Sequence, residues 1–115
     1  MKRKLGIWGE GIAARYLQDK GYKILDRNYY TRNGELDIIC EKDGKLVFVE
    51  VKTRKSTKFG SPEEAITRKK INHLRQAALI YLKTVERPYQ EIRFDVIAIL
   101  IDGNKKTINH IEQAF

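Results

Sequence analysis

Two neighbouring apolar runs joined by a tight turn constrain this chain more than any other feature. The runs are Gly34-Glu35-Leu36-Asp37-Ile38-Ile39-Cys40 and Leu46-Val47-Phe48-Val49-Glu50-Val51-Lys52, with Asp43-Gly44 between them. Asp-Gly between apolar runs is a strong signal for a two-residue hairpin loop. Such a loop sets Lys42 against Lys45, so partner numbers across the hairpin sum to 87. Asp37 then falls opposite Glu50, and Glu35 opposite Lys52. Directly opposed side chains have Cβ atoms about 5 Å apart, where like charges repel. A face otherwise built from Ile39 and Phe48 has no use for two facing carboxylates unless a cation sits between them. Lys52 projects from the same face as Glu50, because strand side chains alternate with a period of two. A three-residue loop would shift this register, so the reading depends on the Asp43-Gly44 turn. In a purely structural reading, Glu35 and Lys52 form a cross-strand ion pair worth under about 1 kcal/mol. That reading leaves Asp37 against Glu50 unexplained.

Carboxylates are hard ligands that suit Mg²⁺ or Mn²⁺ rather than zinc. No Cys/His set has zinc spacing, since the two histidines, His73 and His110, are far apart in sequence. Asp37 and Glu50 would supply two ligands, with the Val51 carbonyl as a third. A metal held there would polarise a phosphoryl oxygen and lower the pKa of a bound water. Lys52 would orient that water or stabilise the developing negative charge. Glu10 is a candidate fourth member, beside the apolar stripe of the first helical segment; a solvated helix-flank glutamate is the plain alternative.

The chain of 115 residues is expected to form one domain over 1–115, and its hydrophobic fraction of 42% suits a globular protein with a core. Lys+Arg 23 against Asp+Glu 15 gives a net charge of +8, which favours an anionic partner such as nucleic acid. The basic residues concentrate just after the acidic pair. Arg54, Lys55 and Lys58 follow it directly, and Arg68, Lys69 and Lys70 come next, with Arg75 beyond. These are candidate phosphate contacts, although such runs are often only solvated faces. Tyr29, Tyr30 and Phe59 are candidates to stack on exposed bases, with packing as the alternative. The single cysteine, Cys40, excludes an intramolecular disulfide and reads as a small core residue. Met1-Lys2-Arg3-Lys4 is basic but no sustained apolar stretch follows, and charges interrupt every later run. No secretory signal, membrane span or membrane partner is expected, and the cytoplasm is the default location.

Leu5, Trp8, Ile12, Tyr16 and Leu17 recur at helical spacing, and Gly21 is a natural stop. Gly6, Gly9 and Gly11 weaken that helix, and their use would be close backbone approach. Strands are expected over 22–30, 35–42 and 45–53. Ser61-Pro62-Glu63-Glu64 reads as a helix start with a capping box. The helix should run to about Val85 on a stripe of Ile71, Leu74, Ala78, Tyr81, Leu82 and Val85, and Pro88 forbids continuation. Ile92–Ile101 reads as a central strand, with Arg93 and Asp95 on one face as an ion pair. Asp102-Gly103-Asn104 then turns into a short strand around Thr107–Ile111. The order is αβββαββ, a mixed central sheet flanked by helices.

The residues Gly34-Glu35-Leu36-Asp37 … Phe48-Val49-Glu50-Val51-Lys52-Thr53-Arg54 resemble the signature of the PD-(D/E)XK nuclease superfamily. Over nearly its full length the chain resembles one branch of it, the small bacterial YraN family of predicted endonucleases. Gly9-Glu10, Ala13, Tyr16-Leu17, Phe59-Gly60-Ser61-Pro62, Glu64-Ala65 and Arg93-Phe94-Asp95-Val96 add to the match. The resemblance implies a restriction-endonuclease-like α/β core. It implies Asp37 and Glu50 as metal ligands, Lys52 as the catalytic lysine, and Glu10 as the first-helix acid of related Holliday-junction resolvases. Leu36 replaces the motif's proline, and the spacing from Gln76 to Tyr81 departs from the Gln-x-x-x-Tyr element of some relatives. The expectation is therefore a Mg²⁺- or Mn²⁺-dependent endonuclease hydrolysing phosphodiester bonds in DNA, preferably branched or structured DNA. The alternatives are a non-catalytic nucleic-acid-binding module on the same fold, or a nuclease acting on RNA. Symmetric cutting of two strands would suit a homodimer.

Overall fold

The computed structural model describes residues 2–55 and 66–115, with Lys2 and Arg3 described by their backbone alone. The elements are α1 (Lys2–Asp19), β1 (Lys23–Thr31), β2 (Gly34–Lys42), β3 (Lys45–Arg54), α2 (Arg68–Leu82), β4 (Glu91–Asp102) and β5 (Lys105–Ile111). The order is the αβββαββ expected. The strands form one mixed five-stranded sheet in the order β1-β2-β3-β4-β5. β3 and β4 run parallel and the other neighbours antiparallel. The parallel pair needs a crossover, and residues 55–90 supply it with α2 inside.

At the β2–β3 turn, Asp43 and Gly44 have φ of 51° and 77°, the two left-handed residues of a two-residue hairpin loop. Lys42 pairs with Lys45, and the register continues through Ile39–Phe48 to Ile38–Val49 as read from sequence. There the backbone ladder ends. Asp37 does not pair with Glu50 through the backbone; its Oδ2 instead accepts the Val51 N–H at 2.9 Å. A side chain has taken a main-chain donor, so β2 and β3 part at this end.

Each face of the sheet buries an apolar cluster. Ile38, Cys40, Val47, Val49, Val51, Ile97 and Ile99 pack with Ala13, Ala14 and Leu17 of α1. Leu36, Ile39, Leu46 and Phe48 pack with Leu74, Ala77 and Ala78 of α2. Leu36 thus leaves the face shared by Ile38 and Cys40, a break in strict alternation beside Asp37. Cys40 is fully buried, as a core residue should be.

The expected stripe of α1 holds at Leu17, with Ile12 and Tyr16 packed against the core, but not at Trp8. Trp8 is 47% exposed, whereas Ala13 and Leu17 are fully buried. Small residues face the sheet because the helix backbone lies close to it. A Cβ on Gly9 would sit 2.0 Å from Thr53 Oγ1, while one on Gly11 would meet nothing within 4 Å. Gly21, at φ 93°, ends the helix, with Tyr22 N–H on the Leu17 carbonyl and Gly21 N–H on the Gln18 carbonyl.

The expected unbroken helix up to about Val85 is interrupted before α2. Ser61-Pro62-Glu63-Glu64 lies outside the described residues, but Ile66 and Thr67 are not helical. Thr67 is the N-cap, its hydroxyl accepting the Lys70 N–H at 3.1 Å. The helix stops at Leu82 rather than Val85, where the Thr84 hydroxyl takes the Tyr81 carbonyl at 2.7 Å. β4 lies inside the sheet with Val96–Ile99 buried, as its unbroken apolar run implied. None of the helices among the described residues is long and apolar enough to cross a membrane.

Candidate functional site

The site lies where β2 and β3 part. Glu50 shares the α2 face of β3 with Leu46 and Phe48, and it is only 4% exposed. Lys52 on the same strand places Nζ 3.6 Å from Glu50 Oε1, and Lys70 of α2 places Nζ 3.7 Å from that same oxygen. Glu50 Oε2 is buried and takes no N–H or hydroxyl donor among the described residues; the Asp37 and Glu50 carboxyls lie close enough to hydrogen-bond to each other when one is protonated. Asp37, 9% exposed, is fixed by the Val51 N–H. Its carboxylate forms a group with Glu10 of α1 and Glu35 of β2, each offering an oxygen within 4.8 Å of the others.

Asn28 completes the surround. Its amide, in the orientation that satisfies its neighbours, donates to Glu10 Oε1 at 2.7 Å and Glu35 Oε1 at 2.8 Å. It stands on β1 between the Arg27–Ile38 and Tyr29–Leu36 pairs, with φ of 53°. Asparagine tolerates that left-handed conformation better than most residues. Glu35 and Asn28 were not read as site residues. Glu35 was assigned to Lys52 by the continued register; because the ladder ends, Lys52 pairs with Glu50 and Glu35 joins the acids. The one signal for Asn28 was a polar, strand-averse residue inside a strand run.

Four acids gathered at low exposure repel one another and lose solvation. Burial, then the Asp37 and Glu35 charges, push Glu10 from 4.5 up to about 7. Burial and the Asp37 charge push Glu50 from 4.5 to about 7, against the lowering effect of Lys70 and Lys52. Burial also raises Asp37 and Glu35. A cation relieves both costs at once. The donor set is all oxygen, and Glu50 Oε2 is buried with no N–H or hydroxyl donor among the described residues, so these residues fit a hard divalent ion. Such an ion could be held by Asp37 with Glu50, or by Asp37 with Glu10 and Glu35.

Of the basic candidates, Lys70 alone touches the acids among the described residues. Arg54 and Lys55 line a cavity of about 430 Å³ with Leu5, Gly6, Glu10, Val51, Lys52 and Thr53, so they flank the site. Arg68 and Lys69 are exposed on the first turn of α2. Lys58 and Phe59 lie outside the described residues. Tyr29 packs edge-on against Tyr81, with centroids 5.2 Å apart, so it serves the core, whereas Tyr30 is 73% exposed. Gln76 is exposed on α2, away from the acids' buried face. The Cys40 thiol is pushed up to about 12 by burial and the Asp95 charge, which makes it inert as a nucleophile.

A second buried polar cluster lies on the α1 face of β4 and β5. Asp95, fully buried, accepts from Arg93 Nε and Nη2 at 2.9 Å each and from the Gln113 N–H at 3.2 Å. His110 Nε2 lies 2.7 Å from Asp95 Oδ2, and Arg93 Nη2 donates to Tyr22 Oη at 2.6 Å. The Arg93–Asp95 pair was legible in sequence; its links to His110 and Tyr22 were not. Every Asp95 oxygen is satisfied internally, which marks a structural tie rather than a site.

Residues 9–99 match the sequence model of a family described as Uncharacterised protein family UPF0102. A UPF0102 protein of Syntrophomonas wolfei is 61% identical over 115 residues, covering all of both chains. One from Alkaliphilus oremlandii is 46% identical over 117 residues, again covering all of both chains. Another from Nocardia farcinica is 44% identical, covering 99% of this chain and 91% of its own. A match over most of the chain, joined to relatives this close along their whole length, places this protein in the UPF0102 family.

Proposed function

We propose that this protein is a metal-dependent nuclease of the PD-(D/E)XK type, hydrolysing phosphodiester bonds in DNA on a restriction-endonuclease-like core. The observation that carries the reading is the buried Glu50 carboxylate, one oxygen of which takes no N–H or hydroxyl donor among the described residues, set beside Asp37 and flanked by two lysine ammonium groups. A structural ion pair would leave no buried oxygen unsatisfied. Mg²⁺ or Mn²⁺, held by Asp37 and Glu50 with Glu10 beside them, would polarise the phosphoryl oxygen and acidify a water. The chain's own contribution is orientation and charge. Val51 N–H fixes Asp37, Asn28 fixes Glu10 and Glu35, and Lys52 offers N–H donors to the water or to the charge that builds on phosphate. In the reaction a water oxygen–phosphorus bond forms, the ester bond to one sugar oxygen breaks, and that oxygen takes up a proton.

The excess of basic charge supports a polyanionic substrate. Branched or structured DNA is preferred by analogy with the resolvases alone. The test is cleavage of labelled single-stranded, duplex, flap and four-way-junction DNA, and of RNA, with Mg²⁺ or Mn²⁺. Asp37→Ala should abolish turnover and leave salt-sensitive binding largely intact. If neither protein cuts any substrate while both bind, the chain is a binding module and the nuclease reading is wrong. Preferential cutting of RNA would move the substrate class.

A further inference from the structure

Lys70 stands apart from the other basic residues. It occupies the third position of α2, where its own N–H is capped by Thr67. Arg68 and Lys69, two and one residues earlier, are exposed. Lys70 turns back onto the sheet, its Nζ 3.7 Å from Glu50 Oε1, while its side chain stays 37% exposed. Lys52 reaches that same oxygen at 3.6 Å and is 23% exposed. Two ammonium groups from different elements thus converge on one oxygen of a carboxylate that is itself 4% exposed. Both distances exceed the roughly 2.7–2.9 Å of a strong charge-assisted hydrogen bond. An ammonium has three donors, and loose contact with one oxygen leaves donors free on the open side. Both cations sit on the same oxygen, and neither reaches Oε2, which takes no N–H or hydroxyl donor among the described residues.

Resting on the nuclease reading above, we propose that Lys70 is a second catalytic lysine. It grips a non-bridging oxygen of the scissile phosphate opposite Lys52, so that α2 and β3 clamp the reacting group between them. Lys52 and Lys70 neutralise Glu50 while no phosphate is present, and turn their free donors to the phosphate when it arrives. Their three charges then act as a unit: two cations, one carboxylate, and room for one more anion. The remaining basic residues, Arg54, Lys55, Arg68 and Lys69, serve phosphates further along the strand.

The test is a cycle between protein and substrate. Products of the wild type first locate the cut phosphate. Binding is then measured in an Asp37→Asn background, which should leave the strand intact, to DNA carrying one neutral methylphosphonate at each position in turn. Removing the charge of the cut phosphate and introducing Lys70→Ala should each weaken binding by roughly tenfold, and together by little more than either alone. Lys69→Ala should be additive with neutralisation at that phosphate. With Asp37 present, Lys70→Ala should lower kcat by roughly 10²-fold and raise KM by no more than the roughly tenfold loss seen in binding, and Lys70→Arg should recover part of both. Lys70→Ala should stay folded and melt close to the wild type, since Lys52 still faces Glu50 and the Lys70 side chain is 37% exposed. Additive effects at every phosphate with kcat unchanged would overturn the role of Lys70 alone. Absence of both cutting and binding by the wild type would overturn this role and the nuclease reading together.

Discussion

Asp95 shows what a buried charge costs when its partner is lost. Arg93, only 7% exposed, relies on Asp95 for two of its hydrogen bonds. Asp95→Ala leaves that guanidinium with only the exposed Glu112 carboxylate, 3.1 Å away, as counter-charge, at a cost of about 3 kcal/mol. Urea unfolding should show it as a lower midpoint at unchanged slope, and loss under about 1 kcal/mol would mean water compensates Arg93. Burial pushes the Asp95 carboxyl up, but hydrogen bonds from His110, Arg93 and the Gln113 N–H outweigh it and hold the value below the usual 3.8. A lowered acid stabilises the fold above its unfolded pKa and loses that contribution as pH falls through the folded one. Asp95→Ala should therefore flatten the acid limb of the stability curve below about pH 4. Glu50 is the contrasting buried acid, held by loose contacts, with one oxygen that takes no N–H or hydroxyl donor among the described residues.

Among the elements, α1 depends on Gly9. An alanine there would drive its Cβ against Thr53, costing about 1–3 kcal/mol of overpacking strain. Thr53→Ala should restore part of the loss, because the closest clash is with the hydroxyl. Gly11→Ala meets open space and should gain up to about 1 kcal/mol from helix propensity. Chemical denaturation of these variants would separate the two glycines, and equal effects would mean that helix propensity alone matters. The sequence revealed that α1 held glycines for close approach, but not which one, because that depends on the depth at which the helix meets β3. The β2–β3 hairpin was legible down to its register, since Asp43-Gly44 dictates positive φ at two consecutive positions. The Ser61 capping box lies outside the described residues, whereas the break at Ile66–Thr67 and the Thr67 cap of α2 were not read, because a lone threonine inside a polar run is a weak local signal. Glu35 and Asn28 were missed for a different reason. Their meeting with Glu10 requires the ladder to end at Ile38–Val49, which no local pattern encodes.

At the scale of the molecule, a chain of net charge +8 concentrates four of its acids at one end of the sheet. Glu10 and Glu50 rise from 4.5 to about 7, so the folded protein binds more protons than the unfolded chain between those values. Their contribution to stability is present below about pH 4.5 and is lost as pH rises through about 7. Without divalent ions, the melting temperature should fall across that interval. Mn²⁺ or Mg²⁺ should raise it, increasingly so toward pH 8, since a cation replaces the protons. Scanning calorimetry at several pH values checks this, and a metal shift that ignores pH would place the ion away from these acids. Glu50→Gln should remove much of the slope. The site also has a temporal consequence. β3 carries Glu50, Val51 and Lys52, and its pairing with β4 runs from Lys45–Glu91 to Arg54–Leu100 across the crossover of residues 55–90. A hairpin closes locally, whereas a parallel pair must first bring together segments far apart along the chain. As the nascent chain emerges, β2 and β3 can zip from their turn well before β4 exists. The acids near Asp37 thus meet early on a half-built sheet, while α2 and its Lys70 dock only as the crossover closes. On that order Lys52 would stand beside the acids from the start, and Lys70 would join them last.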